Sequence, residues 1–374
     1  MNFDLSQEQR LLKDSVERFV ADNYSLAARI AITDAEPGFS KTHWKSMAEL
    51  GWLALPFDES DGGFQGGPIE TMLLMEAFGK GLVVEPYLAS IVLGGGAIRR
   101  GATKAIKDML LAAVIDGSKQ LAFGYAEEQA RFDLDDVVTS ARADTNGFVL
   151  NGTKSLVLNA ATADHIVISA RTSGGQVDPN GITLFLVDAK AAGVTLESYP
   201  TVDGLRASEV KLSNVRVGRD CLIGELGNGI AILQEVANDA MLALAAEAVG
   251  AMEILYKDTV EYTQQRVQFG HPLSEFQVLQ HRMVEMFMEY EQCKSLLLRA
   301  TLESSQGLPN AQRTIHALKH LIGKAGIFVA ENAVQLHGGM GMTEELRVGH
   351  YFKRLLVIDS QFGNADFHLE KFAA

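Results

Sequence analysis

The chain reads as an α+β protein: an N-terminal helical domain, a small central antiparallel β domain and a C-terminal four-helix bundle. Two observations carry this. The apolar period is helical up to about residue 117, alternates with period two to about residue 225, and turns helical again afterwards. The breaks in the middle third are turn chemistry, Asp144-Thr145-Asn146-Gly147 and Asn151-Gly152, residue types that tolerate positive φ. The expected domains therefore run 1–117, 118–225 and 226–374.

In the first domain, SQEQRLLKDSVERFVADN sets Leu11, Leu12, Val16, Phe19 and Val20 at helical spacing behind Ser6, a good N-cap. The apolar run GLVVEPYLASIVLGGGAI is interrupted by Glu85, Pro86 and three glycines, so it is not a membrane span. In the middle domain, VVTSARA, GFVLNG, HIVISART, ITLFLVDA, GVTLESYP and EVKLSNVRVG are short β-branched runs bounded by Gly, Asn and Asp. The third domain opens with IAILQEVANDAMLALAAEAVGAMEILYKDTVEYTQQR, apolar on nearly every face between Leu242 and Val249 and hence expected to be buried all round. Two amphipathic stretches follow, FQVLQHRMVEMFMEYEQCKSLLLRATLES and AQRTIHALKHLIGKAGIFVAENAVQL, long enough for a bundle.

Composition narrows the function. With 374 residues, 47% apolar, 21% charged and a net charge of -14, the chain offers no global electrostatic grip on nucleic acid or an anionic membrane, and neither partner is expected. Cys221 and Cys293 stand far apart and outside any C-x-x-C spacing, which excludes a disulfide framework and a cysteine zinc site. The start, MNFDLSQEQRLLKD, has neither signal nor transit character, and the expected location is cytoplasmic, without membrane insertion.

Among motifs, His316 and His320 have the four-residue spacing of a shared metal, but HALKH lacks the glutamate of a zincin, and no metal is expected. Gly94 to Gly96 and GELGNG at 224–229 do not follow buried parallel strands as a dinucleotide fingerprint requires. Two stretches ask for more. RVQFGHPLSEFQ, residues 266–277, reads locally as a helix end, a turn at Gly270 and Pro272, and a new helix start. QLHGGMGMTEE, residues 335–345, reads as a glycine stop to the preceding helix, and its glycine pair also lets a ligand come close to the backbone.

Taken in order, EQRLLKDSVERF, ELGWLALPFDESDGG, FVLNGTK with ADHIVISART, GLRASEVKLSNVRV, LIGELGNG, RVQFGHPLSEFQ and QLHGGMGMTEE resemble an acyl-CoA dehydrogenase over essentially the whole chain. The resemblance implies FAD as cofactor, an acyl-CoA thioester as substrate, a homo- or hetero-oligomer with another subunit of the family, and an electron-transferring flavoprotein as electron acceptor. It implies a carboxylate that takes the α-proton while hydride leaves the β-carbon. It also implies an adenine and diphosphate clamp, reaching the FAD of a neighbouring subunit, at Arg266, Gln268, Phe269, Gln277, Gln335, Gly338 and Gly339.

Elsewhere the chain departs from the family pattern. Where relatives carry L-T-E-P-G-A-G-S-D, this chain has YAEEQARFD, so Ala126 and Phe132 replace a hydroxyl donor and a phosphate-contacting serine. NGTKSLVLN puts Leu156 at the tryptophan that flanks the flavin and Leu158 at the threonine that bonds it, and leucine has no donor. The family's base positions fall on Phe362 of DSQFGNAD and on Ala240. Asp239, Asp359 and Asp366 are weak substitutes, and Asp239 is about 100° from Ala240 around a helix. The pattern resembles the small, degenerate subunit of two-chain acyl-CoA dehydrogenases, including that of pimeloyl-CoA dehydrogenation. The competing expectations are a self-sufficient enzyme with a relocated carboxylate and a non-catalytic scaffold of the same fold.

Overall fold

A computed structural model describes residues 4–374. Its helices are α1 (Gln7–Asn23), α2 (Leu26–Asp34), α3 (Lys41–Glu49), α4 (Pro68–Gly81), α5 (Gly96–Gly101), α6 (Lys104–Ile115), α7 (Gly229–Gln265), α8 (Gln277–Ser305), α9 (Ala311–His337), α10 (Arg347–Ser360) and α11 (Ala365–Ala373). The strands of the large sheet are β1 (Leu121–Gly124), β2 (Ser140–Asp144), β3 (Gly147–Leu158), β4 (His165–Arg171), β5 (Ile182–Asp188), β6 (Val194–Pro200), β7 (Arg206–Gly218) and β8 (Leu222–Ile223), and a small hairpin pairs β9 (Val267–Gln268) with β10 (His271–Pro272). The chain divides into two units: a helical unit of residues 4–34, 68–83 and 241–374, and a sheet unit of residues 35–67 and 84–240.

In the helical unit, Ser6 caps α1 as expected. Its hydroxyl accepts from the Gln9 N–H while Gln9 Oε1 accepts from the Ser6 N–H, a full capping box. Val16 and Val20 are buried, whereas Leu11 is 62% exposed although its spacing matches theirs. α7 is buried on all sides from Leu242 to Val249. By length and composition it could cross a membrane, but 61% of its most apolar window is buried inside the protein, the condition of a core helix. α4 and α7 cross at backbone contact, because a Cβ at Gly79 would lie 1.9 Å from Glu247 O and one at Gly250 would lie 1.9 Å from Glu76 O. α7 meets α8 through Tyr256 and Tyr290, ring centroids 5.2 Å apart, and α10 through the buried Glu247–Arg354 pair at 2.6 Å. α9 packs against α8, α10 and α11.

In the sheet unit the strand order is β6-β7-β3-β2-β4-β5-β8, with β1 beside β4. Pairing is antiparallel except that β1 runs parallel to β4, Leu121 opposite His165, and β2 meets β4 parallel at Ser140 and Arg171. The expected turn at 144–147 is the two-residue β2–β3 hairpin, Asp144 opposite Gly147. Leu150, Ile166, Phe185 and Val210 form the apolar core of the sheet.

Candidate functional site

In the helical unit, RVQFGHPLSEFQ forms a two-residue hairpin rather than a plain interhelical turn. Gln268 faces His271, and the loop is Phe269 at φ 54 and Gly270 at φ 83. Two left-handed residues in succession suit the twist of a tight hairpin, and the non-glycine one carries local strain. Phe269 is 90% exposed and edge-on to Phe276, centroids 6.4 Å apart. Arg266 is exposed, and its guanidinium makes no hydrogen bond or ion pair among the described residues. Gln268 is exposed and turns its Nε2 to Val267 O. Gln277 is exposed at the first position of α8, whose N-terminus has no side-chain cap.

The glycine stretch ends α9 beside this hairpin's root. Gly338 adopts φ 60, ψ -141, outside the left-handed helical cap expected of a Schellman stop, and a short 3-10 turn continues to Met342. A Cβ on Gly338 or Gly339 would meet nothing within 4 Å, so both backbones border open space, and Gln335 is exposed above them. Tyr262, whose carbonyl accepts from the Arg266 N–H, stacks on His337 with ring centroids 4.3 Å apart. The buried His337 is fixed in turn by its Nδ1 to Ala333 O, 2.8 Å. Tyr262 and His337 thus bring the arginine-bearing segment and the glycine segment together; His337 lies within QLHGGMGMTEE, but Tyr262 stands outside both motifs and nothing local announces the stack.

In the sheet unit YAEEQARFD and NGTKSLVLN are joined through a buried ion pair, while Ala126, Phe132, Leu156 and Leu158 bring side chains without donors. Lys154 is fully buried, with Nζ 2.6 Å from Glu127 Oε1 and 2.9 Å from Ser169 Oγ, and Glu127 also accepts from the Val138 and Thr139 N–H groups. A shift of register between Lys154 and Val157 marks a bulge. It turns Leu156 to φ 53 and leaves that side chain 59% exposed. Ala126, Phe132 and Leu158 are half-buried.

The carboxylates near the family's base positions are all engaged. Asp239 lies 2.7 Å from Arg100 and 3.6 Å from Arg99, and Ala240 beside it is fully buried in an unbroken α7. Asp359 Oδ1 accepts from the Ala365 N–H at 3.0 Å and is wedged against α9, since a Cβ on Gly323 would come within 2.1 Å of it. Asp366 is exposed, 3.3 Å from Lys324. Phe362 is half-buried at φ 60. His316 and His320 serve the same turn: His316 Nδ1 lies 2.9 Å from His368 Nδ1, and His320 Nδ1 is 2.8 Å from Ala365 O.

One carboxyl with no sequence signal beyond its isolation in an apolar run is Glu85. Its side chain is fully buried, Oε1 accepts from the Ser40 N–H at 3.2 Å and lies 3.5 Å from His43 Nδ1, and Oε2 has no partner among the described residues. Burial pushes the carboxyl up to about 7 and lowers the His43 imidazole. Because the folded-state value lies above the usual 4.5, the folded protein binds the extra proton between these two values, so this group's stabilisation is complete below pH 4.5 and is lost as pH rises through about 7. Glu85→Gln is expected to remove about 2–3 kcal/mol of this pH dependence. Urea unfolding of both proteins at acidic and mildly alkaline pH checks it, and parallel pH profiles would refute the assignment.

Comparison with known proteins bears on these features. Residues 6–118 match the acyl-CoA dehydrogenase N-terminal domain, residues 122–215 the middle domain and residues 227–374 the C-terminal domain. The probable acyl-CoA dehydrogenase YngJ of Bacillus subtilis is 28% identical over 93% of this chain and 92% of its own. The structure of PigA with FAD and proline superposes with a TM-score of 0.92 at 27% identity, covering 100% of this chain and 98% of PigA. A variant of the Tcur3481-Tcur3483 steroid ACAD gives a TM-score of 0.87 at 27% identity, over 98% of this chain and 97% of that one. With all three domains matched in order, the chain belongs to the acyl-CoA dehydrogenase family.

Proposed function

We propose that this chain is one subunit of an FAD-dependent enzyme that dehydrogenates an acyl-CoA thioester between its α and β carbons, and that its own contribution is the clamp on the cofactor's adenine and diphosphate. The observation that carries the proposal is the pairing of Arg266, unpartnered among the described residues, and a 90% exposed, strained Phe269 with the open Gly338-Gly339 backbone. A guanidinium meets phosphate oxygens with paired hydrogen bonds, an exposed ring offers a wall to adenine, and bare glycine backbone admits a diphosphate. Gln268, Gln277 and Gln335 add amide groups around them. When bound, FAD supplies the hydride-accepting chemistry.

The other half of such a site finds less support within this chain. Ala126, Phe132, Leu156 and Leu158 provide no hydrogen-bond donor from their side chains, and Phe362 takes no proton. Asp239, Asp359 and Asp366 already serve arginines, a helix start and a lysine, which argues against a relocated base. The reaction is therefore assigned to FAD held mainly by a second, catalytic chain of the family, with electrons leaving to an electron-transferring flavoprotein. The likeness to the steroid enzyme whose name pairs two components agrees with a two-chain assembly. Expressed alone, the chain should purify without stoichiometric flavin, and co-expressed with its catalytic partner it should form a yellow complex that acyl-CoA bleaches. A yellow protein obtained from this chain alone, bleached by acyl-CoA, would refute the two-chain reading.

A further inference from the structure

The sheet unit holds a cavity of about 670 Å³ that belongs to none of the features above. Phe39, Lys41 and Trp44 line it from α3 and the residues before it, and Gln120, Thr162 and Asp164 line it from the segments that enter β1 and β4. Its volume lies within the usual range for small-molecule sites.

The polar groups of this cavity are unequally used. Gln120 is nine-tenths buried, and its Oε1 already accepts from Thr162 Oγ1 at 2.9 Å and Asn159 Nδ2 at 3.3 Å. Its Nε2 makes no hydrogen bond among the described residues, which leaves a donor available to an occupant of the cavity that Gln120 lines. Asp164 Oδ2 accepts from the Gln120 N–H at 2.9 Å, while Oδ1 remains available. On the α3 side, Lys41 is exposed and makes no ion pair among the described residues, whereas Lys45 is held 3.6 Å from Glu49. Asp116, also at the cavity, is tied to the Ser118 N–H at 2.8 Å. Trp44 is pinned by its Nε1 to Gly117 O at 3.1 Å, so its ring is a fixed wall.

A hydroxyl fits the inner end, since it can accept from Gln120 Nε2 and donate to Asp164 Oδ1. Phe39 and Trp44 give the lining an aromatic part that suits a flat ring. A carboxylate fits the rim at Lys41. We propose that this cavity is a binding site for a small aromatic carboxylate bearing a phenolic hydroxyl, oriented by Gln120 and Asp164 at one end and Lys41 at the other.

The full chain is titrated calorimetrically with p-hydroxyphenylacetate, phenylacetate and p-cresol, and the indole N–H resonances are followed in parallel. Only two tryptophans exist, so Trp44→Phe identifies the cavity signal against Trp52. p-Hydroxyphenylacetate should bind saturably and shift Trp44. Loss of the hydroxyl or of the carboxylate should each weaken binding about tenfold. Gln120→Leu should abolish the preference over phenylacetate while retaining that over p-cresol, and Lys41→Gln should do the reverse. Because each variant is read as a ratio between ligands, a general loss of stability does not imitate the result. Equal binding of all three ligands, no saturable binding of any, or ratios unchanged by both substitutions would overturn the proposal.

Discussion

Replacing Lys319 with methionine is expected to lower the unfolding free energy by about 3–5 kcal/mol, the largest stability effect of any single substitution argued for this chain. Lys319 sits in the middle of α9 with no exposed surface, and its ammonium donates to Ile358 O at 2.7 Å, Asp359 O at 2.9 Å and Gly363 O at 2.9 Å. Two of these carbonyls end α10, where no further helical N–H follows, and a cation there also opposes the negative end of the helix. Burial brings the lysine down to about 8, so it still carries its charge at neutral pH. Methionine matches the stem's volume but offers no donor, and it would leave the three carbonyls short of a partner. Urea unfolding at neutral pH measures the loss. A change below about 1 kcal/mol would show that these carbonyls find water instead.

The same residue shows where sequence reading stops. In HALKH, Lys319 is one polar residue between two histidines on an amphipathic helix, and nothing local distinguishes a solvated lysine from one that fills all three donor positions inside the protein. Its partners are contributed by residues about forty positions away, a relation that periodicity does not encode. The turn around Phe362 is held by this lysine and by His368, whose Nε2 lies 3.0 Å from Phe362 O. The histidines read as a weak metal signal are occupied with the same task.

What depended on local chemistry was legible. The Ser6 cap, the Asp144–Gly147 hairpin and the all-round burial of α7 each follow from residues within a few positions of one another. What depended on pairing was not. Alternation sets which face of a strand is buried but says nothing of direction, so the parallel β1–β4 contact was not foreseen. Residues 35–67 join the sheet unit although no change of composition separates them from the helices on either side. The Phe269-Gly270 hairpin escaped because strands of two residues show no period, and the exposure of Leu156 arises from a bulge, not from a polar residue. For the candidate clamp, family resemblance proposes the individual positions, while the Tyr262–His337 stack that joins the two segments emerges only from the fold.

Under the proposed two-chain reading, Arg266→Ala is expected to strip the flavin from the complex with the catalytic partner, weakening FAD retention by about 10–100-fold, the range for losing one charge-assisted contact to phosphate. The measurement is flavin absorbance per complex after exhaustive dialysis, with complex size checked on the same sample. Arg266→Lys should recover part of the loss, since a lysine keeps the charge but not the paired geometry. Arg282 supplies the contrast: it lies on α8 with its guanidinium 3.3 Å from Asn332 Oδ1, and its removal should leave flavin content unchanged. Full flavin in the Arg266→Ala complex would sink the clamp assignment. The test is direct because Arg266 is exposed and unpartnered among the described residues, so truncating it strands no buried group and should shift folding stability by no more than about 0.5 kcal/mol. A lost cofactor then reports contact with the cofactor, because the fold that presents the arginine does not depend on its side chain.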